Sequence, residues 1–137
     1  MFHDISPAMQ QVMRAMEEQL ARDQASLRSV DSDVARILAL LALSAPAGAF
    51  LELGSSGGYS SLWLSLAACA RGVKLTTVDL SEKKVALAKE NISRAGAADV
   101  VEVFHGDAFD FAVRSEPLAF CFSDIEMSAR SVNNQPG

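Results

Sequence analysis

The chain has 137 residues, which is one domain's worth and leaves no room for a second. Half of the residues are hydrophobic and 21% are charged, a globular balance that excludes a disordered chain. A net charge of −5 repels phosphate backbones, so no nucleic-acid partner is expected. Cys69 and Cys121 are too few for a disulfide scaffold. They fit a reducing, cytoplasmic compartment, each expected as a small apolar residue in the core. Residues 1–4 carry neither a basic segment nor an apolar one of the secretory kind. The most apolar stretch, 37–53, is interrupted by Pro46, Gly48 and Glu52, whereas a membrane span needs roughly 20 apolar residues. No membrane partner is expected.

Ser6-Pro7 opens a first helix, with Ser6 as N-cap and Pro7 at the first helical position. Met9, Val12, Met13, Met16 and Leu20 then recur at helical spacing, with Glu17, Glu18, Arg22 and Asp23 on the other face. The methionines are expected to pack rather than to bind a cofactor. Asp31 or Ser32 caps a second helix over 33–43, which Pro46-Ala47-Gly48 ends. Ala49-Phe50-Leu51-Glu52-Leu53 is a short apolar run that reads as a buried parallel strand. A Gly/Ser turn over 55–58 leads into a helix over 59–70, with Leu62, Leu66 and Cys69 on one stripe and Trp63 and Leu64 packed on the sheet. A second strand is expected over 73–80. Ser81 caps the next helix, which runs to about Arg94 and stops at Gly96. Lys84 stands where a full capping box needs Glu or Gln. Strands over 100–104 and 118–122 follow, the last apolar enough to be an interior strand. The alternation implies βαβ units, a parallel sheet and right-handed crossovers.

Three features fall at the carboxyl ends of successive strands, where open α/β sheets bind ligands. The first is Glu52-Leu53-Gly54-Ser55-Ser56-Gly57-Gly58-Tyr59-Ser60. Its glycines allow a sharp turn and a close approach to a ligand, and the N–H groups at the following helix start can hold an anion. The second is Asp79-Leu80, where a carboxylate can accept from both hydroxyls of a ribose. Its competing explanation is a charge that complements a helix N-terminus. The third is Gly106-Asp107-Ala108, where a carboxylate can read an exocyclic amino group. Ser56 and Tyr59 stand where the dinucleotide fingerprint needs glycines, and Glu52 suits a cationic ligand better than a pyrophosphate. His105 reads as a polar strand-end residue rather than a catalytic one, and for Tyr59 both a position over a ligand and one in the core stay open.

Residues 52–66, with Asp79 and Gly106-Asp107-Ala108, resemble the class I S-adenosylmethionine (SAM)-dependent methyltransferases. Within them the chain is most similar to the small O-methyltransferases related to catechol and caffeoyl-CoA O-methyltransferases, over about residues 31–124. The resemblance implies a Rossmann-like three-layer α/β sandwich, with a parallel sheet of about four strands in the order 3-2-1-4 and two N-terminal helices. Together with the residues read above, the expected division is an N-terminal helical part over 1–30, a SAM-binding domain over 31–127 and a polar tail over 128–137. Glu52, Gly54, Ser55, Ser56, Gly57 and Gly58 would line the methionine portion of SAM, and Ser60 would bind its carboxylate. Asp79 would hold the ribose and Asp107 with Ala108 the adenine, while Tyr59 and Leu80 complete the expected cofactor contacts.

The fourth strand departs from the family pattern. In the metal-dependent branch it ends in an Asp that binds a divalent cation, followed by a Lys and a Tyr. Asp124 is present, as candidate metal ligand and candidate catalytic residue, but Met127 and Arg130 stand at the Lys and Tyr positions. Asp124 helped by Glu126 supplies too few oxygens for a tight Mg²⁺ site. The expectation is therefore an incomplete methyltransferase fold, the N-terminal part of a larger one, with its cofactor half intact and a weak or absent turnover. The expected reaction is methyl transfer to a hydroxyl oxygen of a small molecule, with a homodimer as the expected assembly. The alternatives are a cofactor-binding fragment without turnover and a nucleotide-cofactor oxidoreductase, the latter disfavoured by Ser56 and Glu52.

Overall fold

The computed structural model describes residues 5–22, 32–55, 57–107 and 118–123, with the side chain of Leu20 outside that set. Helix α1 spans Pro7–Arg22 and α2 spans Ser32–Leu43. They are followed by β1 (Ala49–Leu53), α3 (Tyr59–Arg71), β2 (Leu75–Asp79), α4 (Glu82–Arg94), β3 (Val101–His105) and β4 (Leu118–Ser123). Ser6 caps α1 as expected, its Oγ accepting from the Met9 N–H at 3.2 Å. Ser81 does the same for α4, accepting from the Lys84 N–H at 3.3 Å.

The strands pair in parallel in the order β3-β2-β1-β4, so the expected topology holds. Two boundaries shift for a local reason. Gly72, in the left-handed region at φ 68°, and Val73 spend their N–H groups on the last carbonyls of α3, so β2 starts only at Leu75. Val100 bonds back to Ala97 in a turn, and β3 starts one residue later than the apolar run suggests.

Residues of β1 alternate between the two faces of the sheet. Phe50 joins the main core under the helices, with its ring 5.7 Å from that of Phe120 on β4. Leu51 and Leu53 join Val78 in a smaller cluster. Met9 and Met13 are buried, and Val12 and Met16 pack partly against the core, as their spacing implied.

The stripe expected on α3 is only partly right. Leu62 is buried, Leu66 is half-buried and Cys69 is exposed. Tyr59, Ser60, Ser61, Trp63 and Leu64 are buried as well. The first three turns of α3 are covered by the sheet and by α2, while the last turn projects past that cover. Cys121 is also exposed rather than in the core, because among the described residues β4 has a strand neighbour on its β1 side alone. Helix α2 inverts the usual arrangement. Its alanines Ala35, Ala39 and Ala42 are fully buried, which lets it approach closely, while Val34, Ile37 and Leu41 are exposed.

Candidate functional site

The parallel register sets the expected features side by side. Leu53 aligns with Val78, Val78 with Phe104, and Asp79 with His105. The Gly54 N–H bonds the Val78 carbonyl at 2.7 Å, and the Gly106 N–H bonds the Asp79 carbonyl at 3.0 Å. The glycine turn, Asp79-Leu80 and Gly106-Asp107 therefore line one edge of the sheet. The strand order reverses at β1, the topological point where such sheets bind ligands.

The turn after β1 is tight. Gly54 and Gly58 both sit at φ 93°, where L side chains are strained. A Cβ on Gly58 would lie 3.3 Å from the Ala88 Cα, so α4 presses directly against the turn. Asn91 holds it from the same side, its Nδ2 donating to the Gly57 carbonyl at 2.9 Å. Gly58 occupies the N-cap of α3 and offers no side-chain cap, so the first N–H groups of the helix face the turn uncapped by it. Ser55 is buried, and its Oγ has no hydrogen-bond partner among the described residues.

Glu52 is fully buried beneath the start of α3. Its Oε2 accepts from the Ser60 hydroxyl, and its Oε1 accepts from the hydroxyls of Ser61 and Thr77, the latter at 2.9 Å. The Ser60 hydroxyl is thus directed at Glu52, where the resemblance had given it to the cofactor carboxylate. Ser61, Thr77 and Asn91 are partners that sequence reasoning missed. Their signal was present: a second serine in the first turn of α3, and a Thr two residues before Asp79 on the strand beside Glu52.

Asp79 is half-buried and accepts from the Ser81 N–H at 2.9 Å through Oδ1. That bond serves the entry to α4, and a carboxylate has acceptor capacity for more than one partner. Leu80 beside it is 68% exposed, unusual for a leucine and consistent with an apolar surface at the edge. The exposed His105 donates from Nε2 to the Leu80 carbonyl at 2.8 Å, the structural role expected of it. Asp107 follows β3 and is exposed.

Tyr59 takes the core alternative. Its ring is buried and its phenol donates to the Glu17 Oε2 at 2.5 Å. Burial, reinforced by the bond to that carboxylate, pushes its pKa well above the ordinary 10.0. What it offers the turn is its backbone rather than its ring. Ser56, Ala108 and Asp124, together with Glu126, Met127, Arg130 and the tail over 128–137, lie outside the described residues.

Among the described residues no group of three or more His, Cys, Asp and Glu side chains comes together to hold a metal ion. No described helix is long and apolar enough to cross a membrane. A separate cavity of about 480 Å³ between α1 and α4 meets the turn at Gly57 and includes none of Glu52, Ser60, Asp79 or Asp107.

Comparison with known proteins agrees with the fold. The chain is 38% identical over 82 residues to a catechol O-methyltransferase of Mycobacterium tuberculosis, and equally so to one of Niastella koreensis. Each match covers 60% of this chain and 37% of the relative. Among solved structures, the O-methyltransferase TomG from Streptomyces achromogenes, in complex with SAM, superposes with a TM-score of 0.68 at 30% identity, over 88% of this chain and 54% of that one. An O-methyltransferase from Bacillus cereus in complex with SAH gives 0.67 at 29% identity, over 91% and 57%. The chain thus spans about half the length of these structures. The sequence profile of the O-methyltransferase family matches residues 3–119, and the chain belongs to that family.

Proposed function

We propose that the chain binds SAM at the carboxyl edge of β1, β2 and β3, and that the protein transfers its methyl group to a hydroxyl oxygen of a small molecule. The observation that carries the reading is the buried Glu52 carboxylate under the α3 N-terminus, at the point where strand order reverses. The residues suit the cofactor in kind. A carboxylate at the turn complements a ligand carrying ammonium and sulfonium charges. Helix N–H groups without a side-chain cap and the Ser55 hydroxyl, which has no partner among the described residues, suit its carboxylate. Family membership and the two solved relatives in complex with SAM and SAH support the same reading.

In this reading the cofactor supplies a methyl group already activated on a sulfonium, so the protein's work is to hold the reactants in line and exclude water. Glu52 and the turn from Gly54 to Gly58 take the methionine end. Ser60 contributes its backbone N–H at the start of α3, its hydroxyl serving Glu52. Asp79 takes the ribose hydroxyls, Leu80 gives an apolar surface beside them, and Asp107 with Ala108 takes the adenine.

A thermal-shift panel with SAM, SAH, NAD and NADP tests the cofactor assignment, since a ligand that prefers the folded state raises its stability. Stabilisation by SAM and SAH but not by NAD or NADP is expected, and the reverse pattern contradicts the assignment. Transfer of labelled methyl from SAM to catechol-like and phenolic acceptors, rather than to amines, tests the second half.

A further inference from the structure

We propose that Thr77 and Ser61 are positioning residues for the methionine end of the cofactor, acting through Glu52. The proposal rests on the SAM-binding reading above and deepens it. Each side chain is buried and spends its one hydroxyl hydrogen on Glu52, and so acts through that carboxylate. Both donate to the same oxygen of Glu52, Oε1. They come from different elements: Ser61 from the first turn of α3, and Thr77 from β2, where it is the register partner of Glu52. Ser60 bonds the other oxygen, Oε2, from the same turn as Ser61.

A glutamate side chain has three torsions, and its freedom opposes any fixed placement of the charge. Bonds from α3 alone would let the carboxylate follow the helix end. The Thr77 bond ties it to the sheet as well, and so fixes the carboxylate plane relative to both the turn and the strand edge. Bonds to a charged acceptor are the stronger class, and the buried setting raises the consequence of removing one. The negative charge is then held in place before a cationic ligand arrives, and pre-organisation of this kind raises affinity.

Isothermal titration with two ligands tests this. SAH carries the ammonium and carboxylate, whereas 5′-methylthioadenosine keeps the adenosine and the thioether but lacks both. Thr77→Val keeps the shape of the side chain and removes the hydroxyl. It is expected to weaken SAH about tenfold and to leave methylthioadenosine within about twofold. Thr77→Ser, which restores a hydroxyl, is expected to recover most of the SAH affinity. Ser61→Ala, on the same oxygen, carries the same ligand split and serves if Thr77→Val does not fold. Equal loss for both ligands, or no loss for SAH, overturns the positioning role. Absence of SAH binding by the unaltered chain overturns the cofactor reading together with it, and that outcome is distinct from the other two.

Discussion

The phenol of Tyr59, the first residue of α3, donates to the Glu17 carboxylate of α1 across 42 residues of sequence. This bond ties the N-terminal helix to the end of the turn that carries the candidate site. It also gives α1 a fixed place over α3 that helical spacing of methionines alone does not define. Because burial and Glu17 raise the pKa of Tyr59, the bond has a pH signature.

Tyr59 is the chain's one tyrosine, so tyrosinate absorbance reports it alone. Below the ordinary value of 10.0 the phenol is protonated in both the folded and the unfolded chain, and its contribution to stability is complete. Above that value the unfolded chain ionises first, and the contribution falls as pH rises. Tyrosinate absorbance is expected to appear together with the loss of native Trp63 fluorescence. Glu17→Gln is expected to move the onset to lower pH while leaving it above the ordinary value. A midpoint near 10.0 in a chain that is still folded contradicts the burial and the bond.

Gly58→Ala and Gly72→Ala compare two left-handed glycines with different surroundings. Each substitution carries a backbone cost of roughly 1–2 kcal/mol. At Gly72 nothing lies within 4 Å of the added Cβ, whereas at Gly58 the Ala88 backbone is 3.3 Å away. Denaturant unfolding is expected to show the larger loss for Gly58→Ala, with SAH affinity falling for that variant alone. Equal losses would mean that α4 does not press on the turn.

Helix α2 makes an opposite pair. Ala39→Leu adds bulk at a fully buried contact and is expected to destabilise by about 1–3 kcal/mol, although the change is to a more apolar residue. Ile37→Ala, at a position 56% exposed, is expected to stay within about 0.5 kcal/mol. A larger effect at Ile37 than at Ala39 would reverse the assigned orientation of the helix.

Much of this arrangement was legible in the sequence, for identifiable reasons. Ser6-Pro7 and Ser81 carry capping chemistry that acts locally, so the starts of α1 and α4 could be read directly. The order of strands follows from their alternation with helices and from the family pattern. What the sequence hid depends on which elements cover which. Cys69 lies at helical spacing from Leu62 and Leu66, yet the last turn of α3 extends past its cover, and no local pattern records that. Cys121 sits in an apolar run, but the exposure of β4 depends on its neighbours in the sheet. Glu52 and Asp79 were singled out as candidates from their place at the carboxyl ends of β1 and β2. Thr77 was not, because its role arises from parallel register with Glu52 rather than from proximity in sequence.

Asp79 separates a structural role from a binding one. Asp79→Asn keeps an oxygen for the Ser81 N–H but removes the charge proposed to hold the ribose. Its stability is expected to stay within about 0.5 kcal/mol, with SAH bound about tenfold more weakly. Asp79→Ala is expected to lose both, with roughly 1 kcal/mol of stability gone with the Ser81 bond. Unchanged affinity in both variants, read by calorimetry, would leave Asp79 with the α4 entry alone.

The proposed function makes the edge formed by Glu52, the glycine turn and Asp79 a SAM site rather than a dinucleotide site. Isothermal titration of SAH and of NAD into the unaltered chain tests it most directly. Saturable heat with SAH at a stoichiometry near one, abolished or much weakened in Glu52→Gln, together with no heat from NAD, is the result expected. Saturable binding of NAD with none of SAH would contradict it.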